Sequence, residues 1–319
     1  MAIYRLGSSG AQVQAIQRRL AQLGWYTGAL DGRFGGGTLA AVVAFQKDRR
    51  LDADGIVGPI TWKALFKRRP PAPEFSAQDL GRRCLALSGA FETGEPPPQC
   101  FAGLSGDFDG QGLSFGVLQW NVGQRSLQPL MARMLARHRA VVQGIFHDYT
   151  AVLQAALAAP QDEQMQFVRR IQHPVKHTVN EPWRGLLRAL GRTPEFQVIQ
   201  AEAAARLLQA ARRDCGAYGV RSQRALALMF DIRVQNGSIG AVTRAQILAD
   251  FGAGRDDPDP AQAEVRRLRI IANRRAEAAN PRWVEDVRAR KLCIAEGEGT
   301  VHGIAYDLRA QFGIGLEPA

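Results

Sequence analysis

The sequence predicts a mainly α-helical protein made of a small three-helix bundle, a linker and a larger helical domain that contains a short β-hairpin. Three observations predict this architecture. Apolar residues recur at helical spacing through most of the chain, a turn-and-helix unit is repeated near the N-terminus, and one glycine-rich stretch interrupts the helical pattern. The length of 319 residues is about twice that of a typical single domain, so we expect two domains.

Composition excludes several classes of protein. Apolar residues make up 46% and charged residues 22%, which excludes a largely disordered chain, a collagen-like chain and a disulfide-stapled miniprotein. No apolar run approaches the roughly 18 residues that a membrane helix needs. The first residues lack the apolar stretch of a secretory signal. We therefore expect no stable membrane insertion, and synthesis in the cytoplasm without a signal peptide.

The charge predicts an anionic partner. Lys and Arg number 41 against 30 Asp and Glu, a formal net charge of +11. Nucleic acid, anionic lipid and a cell-wall polymer all qualify, although no nucleic-acid-binding motif is recognisable and aromatic residues do not alternate with basic clusters. None of the four cysteines lies in a CxxC pair, so we expect scattered core thiols, while a Cys84–Cys100 bridge stays open.

Prolines predict where the chain divides. Three prolines within residues 70–73 forbid a helix and favour an extended segment. They predict a linker over residues 68–75 that separates a domain at residues 1–67 from a second domain at residues 76–319.

The smaller domain contains an internal repeat. Asp31-Gly32 is followed by Thr38, and Asp54-Gly55 is followed by Thr61, with identical spacing and an offset of 23 residues. The glycine permits a tight turn and the threonine can cap the helix that follows. A further helix precedes both copies, with one apolar face formed by Val13, Ile16, Leu20 and Leu23. The unit is therefore predicted to be a three-helix bundle.

Residues 4–66 resemble the peptidoglycan-binding module that accompanies many cell-wall hydrolases. The stretches that carry the resemblance are Leu6-Gly7, Leu23-Gly24-Trp25-Tyr26, Asp31-Gly32, Phe34-Gly35, Ala44-Phe45-Gln46, Asp54-Gly55, Gly58-Pro59 and Thr61-Trp62. The resemblance implies binding to bacterial peptidoglycan. Turn chemistry explains most of these residues, and the candidates for ligand contact are Trp25, Tyr26 and Asp31.

The larger domain is predicted to be mostly helical. The first helix carries Leu80, Cys84, Leu87 and Phe91 at helical spacing, and further helices are predicted over 194–213, 222–235, 261–279 and 281–295. Thr193 is the expected N-cap of the helix over 194–213, and Gly216 is expected just after the end of that helix. The helix at 222–235 is apolar nearly all round, so its Asp231 needs a buried partner such as an arginine.

A glycine-rich segment over residues 100–121 breaks the helical pattern. It contains five glycines and alternates partly, which predicts a turn or short β-hairpin. Segments of this kind carry either a tight turn or a functional site.

One carboxylate precedes this segment and another lies inside it, in contrasting surroundings. Glu92 ends the preceding helix behind the apolar pair Ala90-Phe91, where partial burial would raise its pKa and allow proton donation. Asp109 lies 17 residues on, in the loop, where it would stay ionised. A carboxylic acid facing a carboxylate is what glycosidic-bond cleavage requires. Ser114 is five residues past Asp109 and could orient a water molecule there.

The arrangement resembles the lysozyme superfamily and, more narrowly, the family 46 chitosanases and chitosanase-like wall hydrolases. The resemblance rests on Glu92 followed by the run Asp109-Gly110-Gln111-Gly112-Leu113-Ser114-Phe115-Gly116, with a looser likeness of Met229–Gly237 to their central buried helix. It implies that Glu92 is the general acid and Asp109 the general base of an inverting reaction. Ser114 stands where chitosanases usually have threonine, which keeps the hydroxyl that orients water.

Other residues near the segment are candidates for supporting roles. Asp107 is an alternative base, and Glu95 is a less favoured acid because three prolines follow it. Gln119 and Asn121 are either hydrogen-bonding partners of N-acetyl groups or structural turn residues. His173 and His177 are four residues apart but lack a third ligand, so we expect no metal and no cofactor.

The function predicted is a muramidase-type peptidoglycan glycosidase that acts as a monomer on the periplasmic cell wall after release through a holin or a secretion machine. Three alternatives stay open. A lytic transglycosylase would use Glu92 alone. A true chitosanase would cut a polycation, which the charge of +11 disfavours. A non-catalytic wall-binding protein would use Glu92 only as a helix terminus.

Overall fold

The computed structural model describes residues 4–8, 10–68, 77–253 and 258–319. The chain forms two compact units: residues 1–84 with 209–319, and residues 85–208. The linker expected at 68–75 lies, apart from its first residue, outside the described residues.

The C-terminal third packs on the N-terminal bundle, within the same compact unit. Ala310 lies in the bundle's apolar core, and the guanidinium of Arg5 lies 3.1 Å from the carboxylate of Glu298. At Gly7 the approach is so close that a Cβ atom would lie 2.9 Å from Ala305. These contacts join residues almost 300 positions apart, which no local pattern reveals.

The N-terminal part is the predicted three-helix bundle. Its helices are α1 (Ala11–Gln22), α2 (Gly36–Asp48) and α3 (Pro59–Phe66). Its core is apolar and includes the buried residues Val13, Ile16, Leu20, Val42, Phe45, Trp62 and Leu65.

A buried glutamine organises each copy of the internal repeat. The side-chain amide of Gln17 donates to Asp31 (2.8 Å) and to Thr38 (3.2 Å), and its carbonyl accepts from the backbone N–H of Gly32. The second copy repeats this network, with Gln46, Asp54, Thr61 and Gly55 in the same roles. Asp and Thr of the repeated motif therefore hold turn to helix through a shared glutamine, which explains their identical spacing.

The middle unit is helical around one small sheet. Its helices are α4 (Leu80–Thr93), α5 (Gln128–Arg137), α6 (Arg139–Phe146), α7 (Tyr149–Ala158), α8 (Gln161–Arg170), α9 (Trp183–Gly191) and the start of α10 (Pro194–Tyr218), and a short 3₁₀ helix covers Gln99–Ala102. Helices α5 to α9 were not predicted.

The glycine-rich segment forms three short strands rather than a two-stranded hairpin. They are β1 (Leu104–Ser105), β2 (Ser114–Phe115) and β3 (Trp120–Asn121), antiparallel in that order. One face packs on the core, where the ring of Phe115 stacks on that of Phe196 at 5.4 Å. The other face is polar.

The C-terminal third consists of α11 (Gln223–Asn236), α12 (Ala241–Ala253), α13 (Pro260–Glu277), α14 (Val284–Glu296), a hairpin of β4 (Glu298–Val301) and β5 (Ile304–Asp307), and α15 (Leu308–Phe312). The predicted partner of Asp231 is present. Arg290 and Lys291 of α14 lie 2.7 and 2.5 Å from its carboxylate, and all three side chains are buried.

Several predicted helix ends were wrong. Thr38 and Thr61 do not cap their helices but lie inside α2 and α3, whose N-caps are Gly35 and Gly58. Helix α10 runs to Tyr218, so Gly216 lies inside the helix, whereas Thr193 does cap its start by accepting from the backbone N–H of Phe196 (3.3 Å). The helix expected from Pro281 begins as a 3₁₀ turn, and the side chain of Asn280 caps that turn by accepting from the backbone N–H of Arg282.

The four cysteines are unpaired and buried, so Cys84 and Cys100 are not bridged. Within the described ranges, no helix is both long and apolar enough to cross a membrane.

Candidate active site

An open pocket of about 150 Å³ lies at the end of α4, within the middle unit. Helix α4, the 3₁₀ helix, β1 and α9 each contribute to its walls. The lining residues are Glu92, Thr93, Glu95, Gln99, Ala102, Gly103, Leu104, Ser105, Gln119, Arg188 and Arg192. Of the residues predicted for catalysis or substrate binding, Glu92 and Gln119 line this pocket.

Close backbone packing sets the position of Glu92. At Gly89, one turn earlier in α4, a Cβ atom would lie 2.1 Å from a methyl group of Val117, so the helix lies directly on the loop after β2. Ala90 and Phe91 are buried as expected, but Glu92 itself is exposed. The expectation that the side chain is partly buried behind Ala90-Phe91 was wrong, because the helix turns it outward into the pocket.

The loop is tied to the 3₁₀ helix by a buried glutamine. Gln200 of α10 accepts from the backbone N–H of Val117 (2.7 Å) and donates to the backbone carbonyl of Phe101 (3.1 Å). This bridge joins two walls of the pocket through residues about a hundred positions apart. The sequence carried no signal for it.

Asp109 and Asp107 occupy contrasting positions in the loop between β1 and β2. Asp109 is exposed at the tip, accepts from the backbone N–H of Gln111 (3.0 Å) and does not line the pocket of Glu92. Asp107 is buried and accepts from the backbone N–H of Gly112 (2.8 Å), while its own N–H donates to Gln172. Asp107 therefore shapes the loop, and Asp109 is the carboxylate available to a ligand.

A row of polar side chains crosses the polar face of the sheet. The register pairs Ser105 with Ser114 and Ser114 with Asn121, so the three residues lie side by side. Ser105 donates to the side-chain carbonyl of Gln119 (2.9 Å), and the amide of Asn121 donates to Ser114 (2.9 Å). The row leads from the pocket of Glu92 to the strand that carries Ser114.

The side chain of Asn121 forms hydrogen bonds within the fold. It is buried, its amide donates to Ser114 and to the backbone of Gly112, and its carbonyl accepts from the backbone N–H groups of Gly123 and Gln124. Of the two roles that the sequence left open for Asn121, the structural one is observed. Gln119 also makes internal hydrogen bonds, but it lines the pocket.

Sequence reasoning missed Arg188 and Arg192. They lie four residues apart at the end of α9 and reach one wall of the pocket. The signal was available: Trp183, Leu187 and Leu190 form a buried face of this helix, and the arginines lie off that face. That this helix adjoins Glu92 was not visible in the sequence.

The candidate ligand residues of the bundle also serve its fold. Trp25 and Tyr26 are half-buried against the bundle core, and the Tyr26 hydroxyl donates to the backbone carbonyl of Ala29 (2.9 Å). Hydrogen bonds from the side chain of Gln17 and the backbone of Arg33 lower the pKa of Asp31. Because Asp54 repeats the bonds of Asp31 in the second copy, this carboxylate is explained by turn structure.

Potential metal ligands do not cluster in the part of the chain that the structure describes. No cluster of three or more His, Cys, Asp or Glu side chains lies close enough there to hold a metal ion. His173 instead accepts from the backbone N–H groups of Val175 and Lys176.

Comparison with known families identifies the N-terminal bundle. Residues 9–65 match the family model PG_binding_1, described as "Putative peptidoglycan binding domain". A 76-residue stretch is 41% identical to the N-acetylmuramoyl-L-alanine amidase CwlM of Mycobacterium tuberculosis, covering 20% of this chain and 19% of that protein. Another, of 65 residues, is 42% identical to a spore cortex-lytic enzyme of Bacillus cereus, covering 20% and 25%. The chain thus spans about a fifth to a quarter of these relatives.

Solved structures give weaker likenesses over a longer stretch. A complex of the GH46 chitosanase of Gynuella sunshinyii with chitotetraose is 15% identical, with a TM-score of 0.46, covering 72% of this chain and 97% of the chitosanase chain. A Burkholderia AP3 phage endolysin is 20% identical, with a TM-score of 0.20, covering 75% and 100%.

Proposed function

We propose that this protein is a peptidoglycan-degrading glycosidase that binds the bacterial wall through its N-terminal bundle and cuts the glycan between N-acetylmuramic acid and N-acetylglucosamine. One observation carries the proposal. A chain with a peptidoglycan-binding domain over residues 9–65 also presents an exposed glutamate, Glu92, in an open pocket beside a polar sheet face. An open pocket of this kind suits a polymer better than a closed cavity does.

In the mechanism proposed, Glu92 is the general acid and protonates the glycosidic oxygen as its bond to the anomeric carbon breaks. A water molecule attacks that carbon from the opposite face. Asp109 accepts the proton of the water, so the anomeric configuration inverts. The Ser114 hydroxyl accepts from Asn121, which leaves its own proton free to orient the attacking water. The exposed position of Asp109 fits a base that works on a water molecule.

Substitution of Glu92 tests the proposal. Glu92→Gln keeps the shape of the side chain but removes the proton donor, so we expect at least about a hundredfold loss in the clearing of a cell-wall suspension. Glu163→Gln is the matched control, because Glu163 is exposed on α8 and does not line the pocket. Pelleting with cell walls should be unchanged in both variants. Full clearing by Glu92→Gln would overturn the proposal.

A lytic transglycosylase is the second candidate, favoured by the absence of Asp109 from the lining of the Glu92 pocket. Such an enzyme uses one glutamate and lets the muramyl hydroxyl close a 1,6-anhydro ring. Asp109→Asn separates the two reactions, because only the hydrolase needs this carboxylate. Mass spectrometry of the released muropeptides gives a direct answer: reducing ends support the hydrolase, and anhydro ends support the transglycosylase.

A further inference from the structure

One wall of the pocket that holds Glu92 is cationic. Arg188 and Arg192 lie four residues apart at the end of α9, so their side chains project from one face of the helix. Both are exposed. Together they bring two permanent positive charges to the pocket that holds the proposed acid.

In the described part of the chain, these two guanidinium groups have no close charged partner, and Arg188 acts on Glu181 only at longer range. Within the described residues, neither forms an ion pair within 4.0 Å or a side-chain hydrogen bond. Arg184, one turn earlier on the same helix, is paired with Glu181 at 2.8 Å. Arg184 therefore takes part in an ion pair of the fold, whereas the N–H donors of Arg188 and Arg192 are available at an open pocket.

The position of the two arginines is fixed by tight packing beneath them. A Cβ atom at Gly191 would lie 2.6 Å from the Cα of Ala102, so the end of α9 lies directly on the 3₁₀ helix. Leu187 and Leu190 are buried on the other side of α9. The end of α9 is thus held in a defined place relative to the pocket.

We propose that Arg188 and Arg192 form a carboxylate-binding subsite, which selects a glycan bearing peptide carboxylates over a neutral or cationic one. This inference rests on the proposed function. A planar guanidinium presents paired N–H donors that match a carboxylate, and two of them at one wall favour an anionic substituent. The same charges repel the ammonium groups of chitosan. In peptidoglycan, the lactyl carboxyl of muramic acid is joined by an amide bond to the stem peptide, and the free carboxylates of that peptide accompany the glycan.

The test compares two forms of one substrate. Purified peptidoglycan is used as it is, and after its carboxyl groups have been converted to amides with a carbodiimide and ammonia. The variants are the double substitution Arg188→Gln/Arg192→Gln and the control Arg184→Gln, whose residue lies on the same helix but outside the pocket. Amidation also weakens anchoring by the basic bundle, but it does so equally in every variant.

The readout is the ratio of kcat/KM on native to that on amidated peptidoglycan. We expect the double variant to lower this ratio about tenfold relative to wild type, while Arg184→Gln keeps the wild-type ratio. The loss should fall on KM, because the carboxylate is bound in both ground state and transition state. Equal ratios in the double variant and the control would overturn the subsite and leave the arginines as counter-charges to Glu92 and Glu95.

The outcome for the subsite is separable from that for the proposed function. Full clearing of cell walls by Glu92→Gln overturns the function. An inactive Glu92→Gln together with an unchanged ratio in the double variant overturns the subsite alone.

Discussion

At the scale of single residues, the surroundings of each carboxylate decide its role. Asp107 and Asp109 are two positions apart in the same loop, yet one is buried in hydrogen bonds and the other is exposed. Asp231 is fully buried between two cations. Burial alone would raise the pKa of Asp231, but the charges of Arg290 and Lys291 outweigh it and hold that pKa well below its usual range.

Asp231 should make the stability of the protein depend on pH. Because its pKa is lower in the folded state, its contribution is complete above about pH 4 and is lost as the pH falls below that value. Asp231→Asn should remove this acid dependence and lower the free energy of unfolding at pH 7 by about 3 kcal/mol or more, since it leaves Arg290 and Lys291 without their carboxylate. Denaturant unfolding at pH 7 and pH 3 measures both effects.

The control for this prediction is Glu181→Gln, which breaks an exposed ion pair with Arg184. It should leave the free energy of unfolding nearly unchanged, because both partners are exposed to solvent. A wild-type protein that loses no more stability in acid than Asp231→Asn would contradict the assignment.

At the scale of secondary-structure elements, close backbone contacts position the walls of the pocket. Gly89 lets α4 lie on the loop after β2, and Gly191 lets α9 lie on the 3₁₀ helix. Buried glutamines provide the polar counterpart: Gln200 joins loop to 3₁₀ helix, and Gln17 and Gln46 join turn to helix in the bundle. The close glycine contacts and the glutamine hydrogen bonds both act between elements, so each can be tested by a single substitution.

Alanine at Gly191 and at Gly144 should have opposite effects. The added methyl at Gly191 meets the backbone of Ala102, so we expect a loss of about 1–3 kcal/mol in stability and reduced wall digestion as Arg188 and Arg192 shift. Gly144 lies in α6 with open space around it, so Gly144→Ala should stabilise by up to about 1 kcal/mol. Thermal unfolding of the two variants gives the comparison, and a shift of equal sign in both would contradict it.

The two copies of the repeat should be equally sensitive to loss of their glutamine. Gln17→Leu and Gln46→Leu each leave buried polar groups of a turn without their partner, at a cost of about 2 kcal/mol or more. Gln22→Leu, at an exposed position of α1, should cost less than about 0.5 kcal/mol. Denaturant midpoints measure all three, and a silent Gln46→Leu would show that the copies are not energetically alike.

At the scale of the whole molecule, charge is divided unequally between the two compact units. Residues 85–208 carry 11 basic and 10 acidic side chains, whereas residues 1–84 with 209–319 carry 30 basic and 20 acidic ones. The unit that contains the peptidoglycan-binding bundle therefore holds nearly all of the net positive charge. The unit with the candidate active site is close to neutral.

This distribution predicts that anchoring depends on salt while chemistry does not. Binding of Glu92→Gln to purified peptidoglycan should weaken several-fold as ionic strength rises from about 0.05 to about 0.5 M, because exposed charges are screened over a shorter distance. Cleavage by wild type at saturating substrate should change little over the same range. Pelleting and turnover assays measure the two, and salt-independent pelleting would contradict the role given to the net charge.

Local patterns were sufficient for the fold class and the bundle, and they showed that Asp231 needs a buried partner. Helical spacing and Asp-Gly turns are decided by neighbours a few residues away, whereas Arg290 and Lys291, the partners of Asp231, lie about 60 positions further along the chain. Helix ends were less certain, as Gly216 inside α10 illustrates, because a glycine can end a helix or merely be tolerated in it. The choice of Glu92 and Asp109 as acid and base stays a prediction.

Tertiary contacts alone decided the rest. The packing of the C-terminal third on the bundle, the placement of Arg188 and Arg192 at the pocket of Glu92, and the bridge through Gln200 all join residues about a hundred or more positions apart. Backbone propensity and hydrophobic periodicity describe which face of an element is apolar, but not which other element covers it. That choice depends on shape and on the space that residues such as Gly89 and Gly191 leave open, which exists only once the chain has folded.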